Sequence, residues 1–147
     1  MSGFMNTKRM KTDIERLLSF KNAHVETHIF DNHNCIIFNN NKINAQFVLN
    51  NMHPFRPPIN IMVNNFEYLT LLRCNNTYLK MLNINKECLC CESLICKNNW
   101  TVTTNIYNLM DEIFTNMNIK SRIVELIHAL KIKEKYLIDD IPIHQYV

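Results

Sequence analysis

Glycine is almost missing from this chain: Gly3 is the only one among 147 residues. Having no Cβ, glycine enters the left-handed backbone region without a steric cost, and most tight turns depend on it. A chain without it has to turn on asparagine, which tolerates that region better than most residues. Asp31-Asn32-His33-Asn34 and Asn39-Asn40-Asn41 are therefore read as turns. The same scarcity removes whole classes of function. A P-loop or dinucleotide fingerprint needs glycines to bring backbone amides up to a phosphate. A Gly-x-Ser-x-Gly nucleophile elbow is equally impossible.

Between these turns the periodicity is legible. Met10, Ile14, Leu17, Leu18 and Lys21 recur at helical spacing and predict a helix over 7–21. Four short strands follow, at His24–Phe30, Cys35–Phe38, Ile43–Leu49 and Ile59–Val63. Tight turns between them read as an antiparallel meander. The prolines of His53-Pro54-Phe55-Arg56-Pro57-Pro58 cannot donate ladder hydrogen bonds, so this run is a stiff connection between strands three and four. A short helix is expected near 66–73. Ile106, Leu109, Met110, Ile113, Phe114 and Met117 form one apolar stripe, with Thr103 or Thr104 as the cap. Asn116–Asn118 are read as a break, and Ser121 as the cap of a second helix running through Leu130 towards Lys131, Lys133 and Lys135. Residues 139–147 carry no clear period. The fold expected is α+β: an N-terminal helix, a four-stranded antiparallel meander sheet, an irregular cysteine-rich stretch, and C-terminal helices packed on the sheet, all in one domain over 1–147.

The chain is 47% apolar with a net charge of +3, which suits a packed core and makes neither nucleic acid nor membrane an expected partner. No apolar run approaches the roughly 20 residues that span a bilayer. Lys8, Arg9 and Lys11 are not followed by a hydrophobic stretch, so no secretory signal is read. The six cysteines are then expected as reduced thiols in the cytosol, with nuclear access left open. Lys8, Arg9, Lys11 and Arg16 make either a docking face for an acidic protein or an ordinary solvated helix face.

Cys88, Cys90, Cys91 and Cys96 crowd one stretch that ends at the single tryptophan, Trp100. Three readings of the cluster stay open. The cysteines can be small buried hydrophobes. Cys88 and Cys91 have Cys-x-x-Cys spacing, but a structural zinc site usually needs a second such pair or two spaced histidines. Or one cysteine is a nucleophile, with an asparagine amide as the oxyanion donor. Glu92 beside Cys91 is expected to raise that thiol's pKa.

The order of these pieces resembles a divergent ubiquitin-conjugating enzyme. Members of that family join strands three and four by Tyr-Pro-Phe-x-Pro-Pro, which His53-Pro54-Phe55-Arg56-Pro57-Pro58 matches in all but the first residue. Their active site reads Asn-Ile-Asn, a variable stretch, then Cys-Leu-Asp-Ile-Leu and a tryptophan. Asn83-Ile84-Asn85 falls on the first motif, Cys91 on the cysteine, Leu94-Ile95 on Ile-Leu, and Trp100 on the tryptophan. The resemblance is strongest over 7–117, with 120–147 as a C-terminal helix and tail. It implies that Cys91 carries ubiquitin or a ubiquitin-like modifier as a thioester and passes it to a substrate lysine or a ligase. It implies that Asn83 stabilises the oxyanion or orders the loop. It assigns Pro54, Phe55 and Trp100 to ligase contacts, and Lys8, Arg9 and Lys11 to the activating enzyme. No metal or organic cofactor is implied. Met81-Leu82 stand where the family has His-Pro, and extra residues separate Pro58 from Asn83. These departures leave a catalytically inactive, partner-binding variant of the family as the alternative.

Overall fold

The computed structural model describes residues 7–96 and 98–136. The chain forms helix α1 (Thr7–Leu17) and then strands β1 (His24–Phe30), β2 (His33–Asn39), β3 (Asn44–Val48), β4 (Asn60–Val63) and β5 (Phe66–Glu67). Two short helices follow, α2 (Tyr68–Leu71) and α3 (Asn76–Met81), and then the long helix α4 (Ile106–Tyr136). The five strands lie in the order β1-β2-β3-β4-β5, each antiparallel to the next, and α4 packs against α1. The sheet is thus a meander as expected, with a fifth strand that the sequence reading did not contain. Among the described residues no helix is long and apolar enough to cross a membrane.

Asparagine does take the place of glycine at the turns. Among the described residues those with positive φ are Asn22, Asp31, Asn32, Asn64, Asn65 and Asn83. Asp31 and Asn32 (φ 50° and 63°) form the two-residue turn between the paired Phe30 and His33. Asn64 and Asn65 (φ 51° and 70°) do the same between Val63 and Phe66. Two consecutive left-handed residues give the turn whose twist matches that of paired strands. The expected four-residue turn at 31–34 is therefore only two residues long, and His33 and Asn34 belong to β2. At the β2–β3 turn the Asn40 side-chain oxygen accepts from the amides of Lys42 and Ile43, both at 2.8 Å.

One face of the sheet is buried through Ile36, Phe38, Ala45, Phe47, Ile61 and Val63. The rings of Phe20, Phe38, Tyr107 and Phe114 interlock there, with Phe20 stacked on Tyr107 at 4.8 Å and Phe114 edge-on to Phe38 at 5.8 Å. These contacts join the end of α1, the sheet and α4 into one core.

Three expectations need correction. The first helix ends at Leu17, not at residue 21, because the chain tightens into turns and Asn22 adopts φ 59°. That reversal sends Phe20 into the aromatic cluster, while Leu18 is exposed. The C-terminal helix is not divided: Asn116–Asn118 lie inside α4. Asn116 sits in the buried stripe and its amide donates to the Tyr68 hydroxyl at 2.9 Å, so it does not compete with its own backbone. The cap of α4 is Asn105 and not Thr103 or Thr104. Asn105 accepts from the Asn108 amide at 2.8 Å, and Asn108 returns the contact to the Asn105 amide at 3.2 Å. The tail expected over 139–147 lies outside the described residues.

Replacing Asn32 or Asn65 by Val forces a β-branched residue into the left-handed region and is expected to cost about 1–2 kcal/mol at each position. The Gly replacements should leave stability unchanged or higher. Urea unfolding of the four variants checks both expectations.

Candidate active site

Among the described residues the cysteine-rich stretch has no helix or strand between Leu82 and Asn105, yet it is held at several points. It starts at the end of α3. There Asn83 takes φ 58°, its amide donates to the Lys80 carbonyl at 3.0 Å, and the Ile84 amide reaches the Leu79 carbonyl at 2.9 Å. This paired closure is the usual helix stop on a left-handed residue. Asn83 therefore has a definite backbone role, and its side chain points out at the surface. α3 itself was not anticipated, because six residues are too few to show a helical period. Asn75 caps the helix, accepting from the Thr77 amide at 2.9 Å.

Leu89 is buried and anchors the middle of the loop in the core. The next anchor is electrostatic. Glu112 of α4 accepts from the Leu94 amide at 2.7 Å, from the Ser93 hydroxyl at 2.8 Å and from the Tyr68 hydroxyl at 2.6 Å. Donors to a carboxylate form the stronger class of hydrogen bond. Burial, reinforced by the charge of Glu112, pushes the Tyr68 phenol far above its ordinary value, so it stays a donor at any working pH. Asn99 completes the frame by donating to the Cys91 carbonyl at 3.0 Å and the Ser93 carbonyl at 2.8 Å. Glu112 and Asn99 were not foreseen as site residues. The only signal for Glu112 was an acidic residue beside the buried stripe of a helix, which many surface helices also show.

Of the six cysteines, Cys35 is buried, Cys91 is exposed, and the other four are half-buried. Cys91 lies on a shallow cleft of about 340 Å³ lined by Asn85, Lys86, Glu87, Cys88 and Glu92. The carboxamide that shares this cleft is Asn85, two residues beyond Asn83.

The sulfurs of Cys88 and Cys90 lie 2.7 Å apart, and those of Cys90 and Cys91 4.0 Å. This contact divides the thiol properties. Cys88 is lowered below its ordinary pKa, first by the hydrogen bond from the Cys90 thiol and then by the Cys91 amide. Cys90 is pushed up to about 12, chiefly by the same contact with Cys88. Cys91 is also raised, and the largest cause is its hydrogen bond with Cys88. The direction for Cys91 agrees with the sequence reading, but the expected cause does not. Glu92 is exposed and is not among the groups responsible.

The remaining site residues gather at one corner. Trp100 is 9% exposed, and its indole N–H donates to the Pro54 carbonyl at 2.8 Å. His53, joined to Pro54 by a cis peptide bond, meets the Asp13 carboxylate at 2.9 Å through Nε2, with both side chains fully buried. Arg9 lies 3.8 Å from the other Asp13 oxygen and donates to the Thr104 carbonyl at 3.0 Å. These three bonds tie α1, the proline turn and the loop after Trp100 together. Phe55 remains 69% exposed at this corner, and Lys8 and Lys11 lie exposed on α1. Arg9, in contrast, is occupied in holding α1 to the loop.

Alkylation by iodoacetamide at a series of pH values, read by peptide mass spectrometry, should separate the thiols. Cys88 should react with a midpoint below the ordinary cysteine value, and Cys91 should need a higher pH despite its exposure. Glu112→Gln keeps the shape but removes the charge, and is expected to cost about 1–3 kcal/mol and to speed amide exchange at Leu94. Urea unfolding and hydrogen exchange measure the two effects.

Comparison with known proteins brings no relative to set beside this geometry: no family model, no curated protein and no solved structure matches the chain.

Proposed function

We propose that this chain is a cysteine transferase of the ubiquitin-conjugating type, carrying ubiquitin or a ubiquitin-like modifier on Cys91. The observation that carries the reading is the exposure of Cys91 on a loop that Glu112 and Asn99 hold in place. In this chemistry the Cys91 sulfur attacks the carbonyl of the modifier's thioester on an activating enzyme. A new sulfur–carbon bond forms, the old one breaks, and the thiol proton passes to the departing sulfur. A substrate lysine or a ligase cysteine then attacks the same carbonyl, and Cys91 leaves and regains a proton. The first step, and transfer to a ligase cysteine, exchange one thioester for another; transfer to lysine makes an amide; none of these steps calls for a cofactor. An incoming thioester is reactive enough for a thiol of raised pKa, while water is a poor competitor.

The order of elements supports the reading: a helix, a meander, a proline turn, an irregular cysteine loop and a long helix. So does the corner where α1, the proline turn and Trp100 meet, with Phe55 as an exposed aromatic for a ligase and Lys8 and Lys11 available to the activating enzyme. Asn85 takes the oxyanion role in this reading, because it shares the cleft with Cys91. Asn83 orders the loop through its backbone.

Met81-Leu82, standing where the family has His-Pro, give the second reading its footing. In it the chain keeps the fold's partner-binding corner and binds ubiquitin or a partner without forming a thioester.

The test is incubation with an activating enzyme, ATP and ubiquitin, followed by a non-reducing gel. A reducible adduct is expected, lost in Cys91→Ser and retained in Cys88→Ser and Cys90→Ser. An absence of adduct with several activating enzymes and modifiers favours the binding variant, and an adduct that follows Cys88 overturns the assignment of the carrier.

A further inference from the structure

The close packing of three sulfurs has a consequence beyond nucleophilic chemistry. Cys88, Cys90 and Cys91 bring their sulfur atoms within 4.8 Å of one another. Three thiolates on one zinc ion, each at a bond length of about 2.3 Å, stand roughly 3.8 Å apart. The Cys90–Cys91 separation of 4.0 Å already fits that spacing. The Cys88–Cys90 separation of 2.7 Å is shorter, and a rotation of Cys88 that opens it by about 1 Å completes the set.

The backbone prepares this arrangement. Leu89 is buried between Cys88 and Cys90, so the two flanking thiols emerge on the same side of the anchored segment. The bonds from the Leu94 amide to Glu112 and from Asn99 to the Cys91 carbonyl fix the end of the loop, so the thiols are gathered before any ion arrives. Cys91 is exposed, which gives an ion a way in.

We propose that Cys88, Cys90 and Cys91 form a three-thiolate site for a soft d10 cation of the Zn2+ class, with a fourth coordination position open to the adjoining cleft. Binding forms three metal–sulfur bonds and releases the protons that the thiols carried. The open position takes water or a carboxylate, and Glu87 and Glu92 lie on the cleft rim. Lys86 on the same cleft offsets part of the negative charge that three thiolates bring to a divalent ion. The site does not need the Cys-x-x-Cys partner pair whose absence weighed against zinc in the sequence, because a Cys-x-Cys-Cys run supplies three ligands from one loop. It also withdraws the Cys91 sulfur from other chemistry while the ion is bound.

The test uses the full chain, reduced and stripped with a chelator, then dialysed against Zn2+. One zinc per chain is expected, and Co2+ in its place should give a near-ultraviolet sulfur-to-metal charge-transfer band. Cys88→Ser and Cys90→Ser should each weaken binding by about tenfold or more, while Cys35→Ser, in β2, should bind as the parent does. In the unmutated chain, saturating zinc should slow iodoacetamide alkylation of Cys91 by about tenfold or more, a readout that does not depend on any variant folding. Substoichiometric zinc, no charge-transfer band, or undiminished binding in the Cys88→Ser/Cys90→Ser double variant overturns the proposal. None of these measurements involves an activating enzyme, so their outcome is separate from that of the thioester test.

Discussion

The carboxylate of Glu112 is the contact on which the functional loop depends. A charge taken out of water needs donors, and Glu112 finds them on two other segments: the Tyr68 hydroxyl of α2, and the Ser93 hydroxyl and Leu94 amide of the cysteine loop. One turn further along α4, Asn116 donates to the same Tyr68 hydroxyl. The long helix is thereby locked both to the segment following the sheet and to the loop that presents Cys91. A stretch whose described residues form no helix or strand between Leu82 and Asn105 can hold a defined shape because several of its polar groups have fixed partners.

A second set of polar contacts fixes the other side of the loop. Asp13 with His53, Arg9 with Thr104, and Trp100 with Pro54 each join segments far apart in sequence. The stabilising energy comes mainly from the apolar core around Phe38, Phe47 and the α4 stripe. What the buried polar pairs add is register. Losing one partner strands the other in a dry site, so the proline turn, α1 and the loop after Trp100 have one favourable arrangement. That leaves Phe55 outside, with Trp100 holding the turn from within.

Within the loop, accessibility and acidity fall on different sulfurs. Cys91 faces solvent, but its contact with Cys88 disfavours the thiolate. Cys88 gains the thiolate stabilisation and is half-buried. A group that attacks a ready-made thioester does not need strong acidity, since the leaving group is a thiol of similar strength. The same division suits a shared ion, which would draw all three sulfurs to one centre.

The sequence by itself determined where this chain turns and which faces it buries. With a single glycine, reversals had to occur at asparagine or aspartate, and every described residue with positive φ is one or the other. The alternation of β3 and the stripe of α4 were legible because side-chain periodicity reports burial directly, whereas β1 alternates in sequence yet lies almost wholly exposed, Ile29 and Phe30 included. The short elements β5 and α3 were not, since a two-residue strand and an asparagine-capped turn of helix have too few residues to show a period. The continuity of α4 was misread at Asn116 because only its buried partner, Tyr68, makes an asparagine acceptable in mid-helix. Cys91 and the proline turn were legible as candidates from order and spacing. Tertiary structure decided which carboxamide shares the Cys91 cleft, which carboxylate holds the loop, and which thiol has its pKa lowered. Those outcomes depend on how an aperiodic loop folds on itself and on a contact from α4, and side-chain periodicity carries no information about either.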